Sequence, residues 1–79
     1  MAQVSVRYWA GARAAAGTDE ERLVVGSTDD VVAALMDCGG ELARVVALSS
    51  LLVDGRVVRD SVGLTDGQVV EVLPPFAGG

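Results

Sequence analysis

Apolar and polar residues alternate in the first part of the chain, and one stretch rich in alanine interrupts the alternation. Over residues 4–8 every second residue is apolar, which predicts a β-strand with one face toward a core. Residues 10–16 are mostly alanine and precede Gly17, which predicts a short helix or turn that ends at a glycine in the left-handed conformation. Alternation resumes over residues 21–25, so we expect a second strand that forms a hairpin with the first.

The middle of the chain has the pattern of two helices. Ser27 and Thr28 offer a hydroxyl for an N-cap, and two aspartates follow in the first turn, where carboxylates complement the helix dipole. Gly39-Gly40 is expected to end this helix, and residues 41–48 form a second, shorter helical stretch. In the first helix, four residues share one face at helical spacing, which predicts that they face the core: Val31, Ala34, Leu35 and Cys38.

The last part of the chain is predicted to form strands, which completes an α+β domain. Residues 50–53 and 56–58 flank Asp54-Gly55, a dipeptide that favours the type I′ hairpin turn, and residues 69–73 form the last strand. We expect a mixed sheet with one main helix packed across it and with the first and last strands as parallel central neighbours. This is the β-grasp (ubiquitin-like) arrangement. Its predicted core includes Val4, Val6, Leu23, Leu35, Leu51 and Val70.

Composition narrows the chemistry that these 79 residues can perform. The formal net charge of −5 argues against nucleic acid as a partner and favours a partner protein with a basic surface. The chain has no histidine and one cysteine, so Cys/His zinc sites, Ser-His-Asp triads and Cys-His dyads are excluded, and we expect no bound metal. Cys38 is expected to be a small buried side chain rather than a reactive thiol, since neither lysine nor histidine is present to activate it.

The same sequence indicates a cytoplasmic protein that does not enter a membrane. A single cysteine cannot form an intramolecular disulfide, which fits a reducing compartment. The first residues lack the basic and then apolar pattern of a signal peptide, and no apolar stretch approaches membrane-spanning length.

The end of the last strand and the residues after it form the candidate functional segment. On that strand Leu73 and Val69 lie opposite Val70 and Val72. One pair should point away from the helix as an apolar binding surface, unless both pairs belong to the core. Pro74 and Pro75 then end the strand, because proline has no amide hydrogen and fixes φ. We expect a domain over residues 1–73 and a mobile tail over residues 74–79 that reaches at most ~20 Å when extended.

This tail combines one aromatic residue with two glycines. Phe76 lies beyond the strand and is expected to fill a pocket of a partner protein. Gly78 and Gly79 have no Cβ, so they can enter a narrow channel, and the carboxyl of Gly79 would be open to attack. A frayed terminus is the alternative, since chain ends are commonly disordered. The stiff Pro-Pro spacer, the aromatic residue and the Gly-Gly end together favour a functional tail.

Three segments of the chain resemble the MoaD/ThiS family of ubiquitin-like sulfur carriers, and the resemblance covers nearly the whole chain. Residues 6–17 are similar to the MoaD opening, an aromatic-ended strand that leads into a short helix. Leu51-Leu52-Val53-Asp54-Gly55 is similar to the family's Val-Asn-Gly hairpin, with Asp54 where asparagine is usual. The most specific match is Asp66-Gly67 followed by Pro74-Pro75-Phe76-Ala77-Gly78-Gly79, in which Phe76 replaces a common valine. The Pro-Pro pair favours the molybdopterin branch, MoaD, over the thiamine branch, ThiS.

The resemblance implies that the chain carries sulfur for molybdenum cofactor biosynthesis and is not catalytic alone. A MoeB-like adenylating enzyme, which binds ATP itself, would activate the carboxyl of Gly79. A cysteine desulfurase or rhodanese-type donor would then convert it to a thiocarboxylate. The tail would insert into a MoaE-like large subunit and give its sulfur to cyclic pyranopterin monophosphate. The resemblance places the reacting end at Gly78 and Gly79 and the partner contacts at Leu73, Pro74, Pro75, Phe76 and Ala77, with no cofactor bound by this chain.

Three other interpretations stay open. A ThiS-like carrier would use the same thiocarboxylate for thiamine thiazole synthesis. A ubiquitin-like protein modifier would join Gly79 to a lysine of a target; the chain has no lysine, so it could not form lysine-linked chains on itself, although it could modify other proteins. An acidic interaction module with an incidental tail is the third.

Overall fold

A computed structural model of the protein describes residues 1–75, and within that range the chain forms five strands and three helices. In order these are β1 (Ala2–Tyr8), α1 (Ala10–Ala16), β2 (Glu20–Val25), α2 (Thr28–Asp37), α3 (Gly40–Leu48), β3 (Ser50–Val53), β4 (Arg56–Val58) and β5 (Val69–Leu73). Each predicted element is present within a residue or two of its expected position. Gly17 caps α1 with a φ of 75°, as the left-handed stop requires.

The strands form one mixed sheet in the order β2-β1-β5-β3-β4. β1 and β5 run parallel at its centre, with Val6 opposite Val70, and all other pairs are antiparallel. The prediction that the first and last strands are central parallel neighbours is therefore confirmed. The fold is an α+β fold of the β-grasp type.

The core lies between the helices and one face of the sheet. Alternate residues of β1 and β5 point into it, and α2 adds Val31 and Leu35. Four of the six predicted core residues are at most 1% exposed: Val4, Val6, Leu35 and Val70. Leu23 and Leu51 are only partly buried but pack against this cluster. Leu23 lies on the edge strand β2, which has a neighbour on one side only.

The start of α2 is fixed by reciprocal hydrogen bonds. The Ser27 hydroxyl oxygen accepts the Asp30 amide at 3.3 Å, and the Asp30 carboxylate accepts the Ser27 amide at 3.1 Å, which together form a capping box. Next to it, the buried Thr28 hydroxyl oxygen accepts the Val62 amide at 3.0 Å. The bond between Thr28 and Val62 holds the connection before β5 against the start of α2.

The expectation that Cys38 lies on the core face of α2 is wrong. The helix ends at Asp37, Cys38 is its C-cap, and the thiol is exposed. The helical repeat predicts a buried face only where the helix lies on the core. Cys38 comes just before the chain turns at Gly39, which has a φ of 67°, and so it lies past the packed part of the helix.

The β3–β4 turn is connected to the start of β5 through one aspartate. Asp54 and Gly55 have φ values of 49° and 83°, the two positive angles of a type I′ turn. The Asp54 carboxylate accepts the Val69 amide at 3.0 Å and the Gln68 side-chain amide at 3.1 Å. Chiefly the Val69 bond, and then the Gln68 bond, hold the pKa of Asp54 below its ordinary value. The carboxylate therefore stabilises the fold in its ionised form.

We predict that Asp54→Asn removes one acid-sensitive contribution to stability. Because the folded-state pKa of Asp54 is lowered, its contribution is complete above the unfolded-state pKa of about 4 and is lost as the pH falls through the folded-state value. Asparagine tolerates the left-handed backbone and can still accept the Val69 amide, but it does not titrate. Urea unfolding of both proteins should show the wild-type advantage shrinking below about pH 4. A difference between the two that stays constant with pH would contradict this role.

Candidate functional site

The last strand, β5, presents two different faces. Val70 and Val72 point toward the helices and are fully buried, whereas Val69, Glu71 and Leu73 are half-buried on the opposite face. Among residues 1–75, the helices pack on the Val70 and Val72 face, and none covers the opposite one. It is therefore the Val69 and Leu73 side of the strand that points away from the helices, next to the point where β5 ends.

Neighbouring strands extend this apolar surface. Leu52 on β3 lies opposite Glu71, which makes Val69 and Leu73 its diagonal neighbours on the same face. Val57 on β4 lies opposite Leu52 and is 55% exposed. We call these four side chains, Val69, Leu73, Leu52 and Val57, the open-face patch. The sequence alone does not place Leu52 and Val57 at this site, because their position on the open face depends on strand order and register.

A polar row crosses the open face beside the patch. The indole nitrogen of Trp9 donates to the Glu71 carboxylate at 2.8 Å, and the Arg7 guanidinium lies 5.7 Å from the centre of the Trp9 ring. Arg7 also pairs with Glu20 at 3.5 Å. Trp9 is 40% exposed, as expected for an aromatic residue on the face opposite the core. These contacts hold Trp9 against β5 just before the strand ends.

The predicted site residues beyond β5 divide between described and undescribed positions. Pro74 is half-buried and Pro75 is exposed, and both lie at the end of an apolar groove between α1 and α3. Phe76, Ala77, Gly78 and Gly79 lie outside the described residues. The structure thus brings Leu73, Pro74 and Pro75 to one end of the sheet, beside the open-face patch.

The titratable side chains whose pKa values are clearly shifted have structural roles in the fold. The Tyr8 hydroxyl donates to the Glu21 carboxylate, and burial, followed by this hydrogen bond, raises the pKa of Tyr8 above its ordinary value. Cys38 is the C-cap of α2, and its thiol donates to the Ala34 carbonyl at 3.5 Å. Within residues 1–75, no group of three acidic, cysteine or histidine side chains could hold a metal ion. None of the helices in that range has both the length and the hydrophobicity to span a bilayer.

Comparison with known proteins settles the family. The sequence model of the ThiS family matches residues 6–79. This chain belongs to the ThiS family. The resemblance expected from the opening strand, the hairpin and the last residues is therefore confirmed, and the match continues through the four residues beyond Pro75.

Individual ThiS-family relatives match along almost their whole length. The chain is 30% identical over 82 residues to the molybdopterin synthase sulfur carrier subunit of Chlamydomonas reinhardtii, covering 98% of this chain and 99% of that protein. A putative molybdopterin converting factor subunit 1 from Pyrococcus furiosus is 29% identical with a TM-score of 0.83, covering 95% of this chain and 99% of that one. The small archaeal modifier protein 1 of Methanosarcina acetivorans is 29% identical with a TM-score of 0.85, and the match covers 100% of this chain and 98% of that one.

We predict a measurable coupling between Trp9 and Glu71. Trp9→Phe keeps an aromatic ring but removes the N–H that Glu71 accepts, which should lower the free energy of unfolding by about 0.5–1.5 kcal/mol. In the Trp9→Phe background, a further Glu71→Ala change should cost less than it does in the wild type. Urea unfolding of the four proteins, followed by circular dichroism, gives the coupling energy. If the free-energy costs of the two single changes simply add in the double variant, the indole does not hold β5.

Proposed function

We propose that this chain is the sulfur-carrying small subunit of molybdopterin synthase. The observation that carries the proposal is the match, over 98% of this chain and 99% of the relative, to the sulfur carrier subunit of Chlamydomonas reinhardtii. The likeness to the Pyrococcus furiosus converting factor subunit supports it. The structure agrees with such a role, because β5 ends beside an apolar surface at the point where the last six residues begin.

The reacting group in this proposal is the carboxyl of Gly79. A carboxylate is a poor electrophile, so a MoeB-like enzyme first joins it to AMP from ATP and releases pyrophosphate. The outer sulfur of a persulfide on a cysteine desulfurase or rhodanese-type donor then attacks the acyl carbon, AMP leaves, and an acyl disulfide joins Gly79 to the donor. A thiol then cleaves the sulfur–sulfur bond, which releases the thiocarboxylate and leaves the thiol and the donor cysteine as a disulfide. Gly78 and Gly79 carry no Cβ, so the acyl carbon is accessible.

The loaded tail then delivers its sulfur in a MoaE-like large subunit. There the thiocarboxylate sulfur attacks a carbon of cyclic pyranopterin monophosphate and displaces an oxygen substituent, with acid and base groups supplied by the large subunit. Water then cleaves the bond between the sulfur and the acyl carbon of Gly79, so the sulfur stays on the pterin and Gly79 ends as a carboxylate. The open-face patch docks on that subunit, and Phe76 fills one of its pockets. An exposed aliphatic surface beside the tail supports this arrangement, and the net charge of −5 favours a basic surface on the partner.

A protein modifier is the second candidate function. The likeness to the small archaeal modifier protein 1 of Methanosarcina acetivorans favours it. In that role the same adenylated Gly79 would be transferred to the amine of a target lysine, with AMP as the leaving group. Covalent adducts of higher mass in cell extracts would distinguish modification from sulfur transfer. A ThiS-like carrier would instead bind a thiazole synthase and support thiazole formation.

The proposal predicts opposite results for two variants. Deleting Gly79 should abolish molybdopterin formation, because the reacting carboxyl moves back by one residue, while the fold is unchanged since β5 ends at Leu73. Cys38→Ala should leave molybdopterin formation intact and should change the free energy of unfolding by no more than about 0.5 kcal/mol, because Cys38 is exposed. Product yield is measured with a large-subunit protein, an activating enzyme, ATP and a sulfur source.

A control variant with one extra residue tests whether the carboxyl must be that of Gly79 itself. Adding one residue after Gly79 should block product formation as completely as the deletion does. Full product from the Gly79 deletion, or complete loss of product from a well-folded Cys38→Ala protein, is incompatible with sulfur carried on Gly79.

A further inference from the structure

An apolar groove of about 260 Å³ lies beside the start of the tail and has no place in the function proposed so far. It runs between the start of α1 and the end of α3, on the side of the sheet that carries the helices. We call it the root groove, and six residues line it: Ala10, Gly11, Val45, Leu48, Pro74 and Pro75. None of them has a polar side chain.

The composition of the root groove differs from that of a larger groove on the same protein. Between α2 and the β3–β4 hairpin lies a groove of about 370 Å³, whose lining includes Asp29, Arg59 and Asp60. Water can hydrate such a polar surface well. The root groove offers water no side-chain partner, and its Leu48 is 70% exposed. Filling it with an apolar group is therefore favourable.

The wall of the root groove is held in place by the backbone. The Trp9 amide donates to the Val72 carbonyl at 3.2 Å, and the Trp9 carbonyl accepts the Ala12 amide at 2.9 Å. Between them Ala10 has a φ of 46°, a conformation that a residue with a Cβ rarely adopts. α1 is thus fixed to β5 at the point where the tail begins. The α1 wall of the groove therefore has a fixed position beside β5.

We propose that the root groove is a second docking site for the large-subunit protein that receives the tail. Its occupant is an aliphatic or aromatic side chain at the rim of that protein's tail channel. This inference rests on the proposed function, because it assumes that the residues after Pro75 enter such a channel.

Continuity with the tail identifies the occupant. A channel that takes the residues after Pro75 must bring its rim against the surface around Pro75. Two apolar surfaces meet there, the open-face patch at Leu73 and the root groove at Pro74 and Pro75. Contacts on both sides would fix the direction in which the stiff Pro-Pro pair leaves the domain. If a segment of this chain occupied the root groove instead, it would keep the tail against its own domain and out of the channel.

The test compares two exposed apolar residues on neighbouring helices. Leu48→Gln changes the root groove, and Met36→Gln makes a similar exchange on α2, where Met36 is 41% exposed and does not line the groove. Titration calorimetry of the full chain with the large-subunit protein should show a Kd about tenfold higher for Leu48→Gln, and one within about twofold of wild type for Met36→Gln. The methyl NMR signals of Leu48 should also shift when the large subunit is added to the wild type.

Each other outcome overturns the inference in a distinguishable way. Equal Kd values for wild type and Leu48→Gln, with normal molybdopterin yield, would leave the proposed function standing without the second site. Tighter binding by Leu48→Gln would mean that a segment of this chain, such as Phe76, occupies the groove. A wild-type dimer that Leu48→Gln dissociates would assign the groove to a second copy. No binding and no product from the wild type would refute the proposed function itself.

Discussion

The parallel pairing of β1 with β5 is the constraint on which the rest of the structure depends. It places the last strand at the centre of the sheet, with Val70 and Val72 fully buried against the helices. The end of that strand is consequently fixed to the core, although it lies at the surface. Trp9 holds the end of the strand with two hydrogen bonds. Its backbone amide donates to the Val72 carbonyl, and its indole N–H donates to the Glu71 carboxylate. A tail that begins at Pro74 therefore starts from a rigid position.

One face of β5 stabilises the fold, and the other presents the surface that we propose for docking. Burial of the valines on one face helps to offset the conformational entropy that the chain loses on folding. The apolar side chains of the other face can therefore stay partly exposed. The Asp54 carboxylate, to which the Gln68 side chain also donates, holds the first residue of the strand, and the Trp9 contacts hold its end. The strand can thus present the open-face patch without relying on a partner for its position. No side chain of this rigid segment needs to perform acid–base chemistry if the large-subunit protein supplies it, as we propose.

Much of the fold could be predicted from sequence because its signals are local. The positive φ values of Asp54 and Gly55 follow from the residues themselves, as does the left-handed stop at Gly17. Cys38 shows the limit of this reasoning, because helical spacing predicts a face but not how far along the helix that face packs on the core. The open-face patch and the root groove depend on which strands and helices become neighbours. Leu52, Val57 and Leu48 therefore gave no sequence signal of a role, whereas Pro74 and Pro75 did through their backbone chemistry.

Intact mass spectrometry tests the central claim, that sulfur is carried on the carboxyl of Gly79, most directly. The full chain is incubated with an activating enzyme, ATP and a sulfur source, and its mass is compared with that of a reaction without ATP. We expect an ATP-dependent mass gain equal to one oxygen-to-sulfur exchange, and fragmentation should locate it in the last residue. A chain that gains no mass, or one whose added sulfur fragments with Cys38, would contradict the claim.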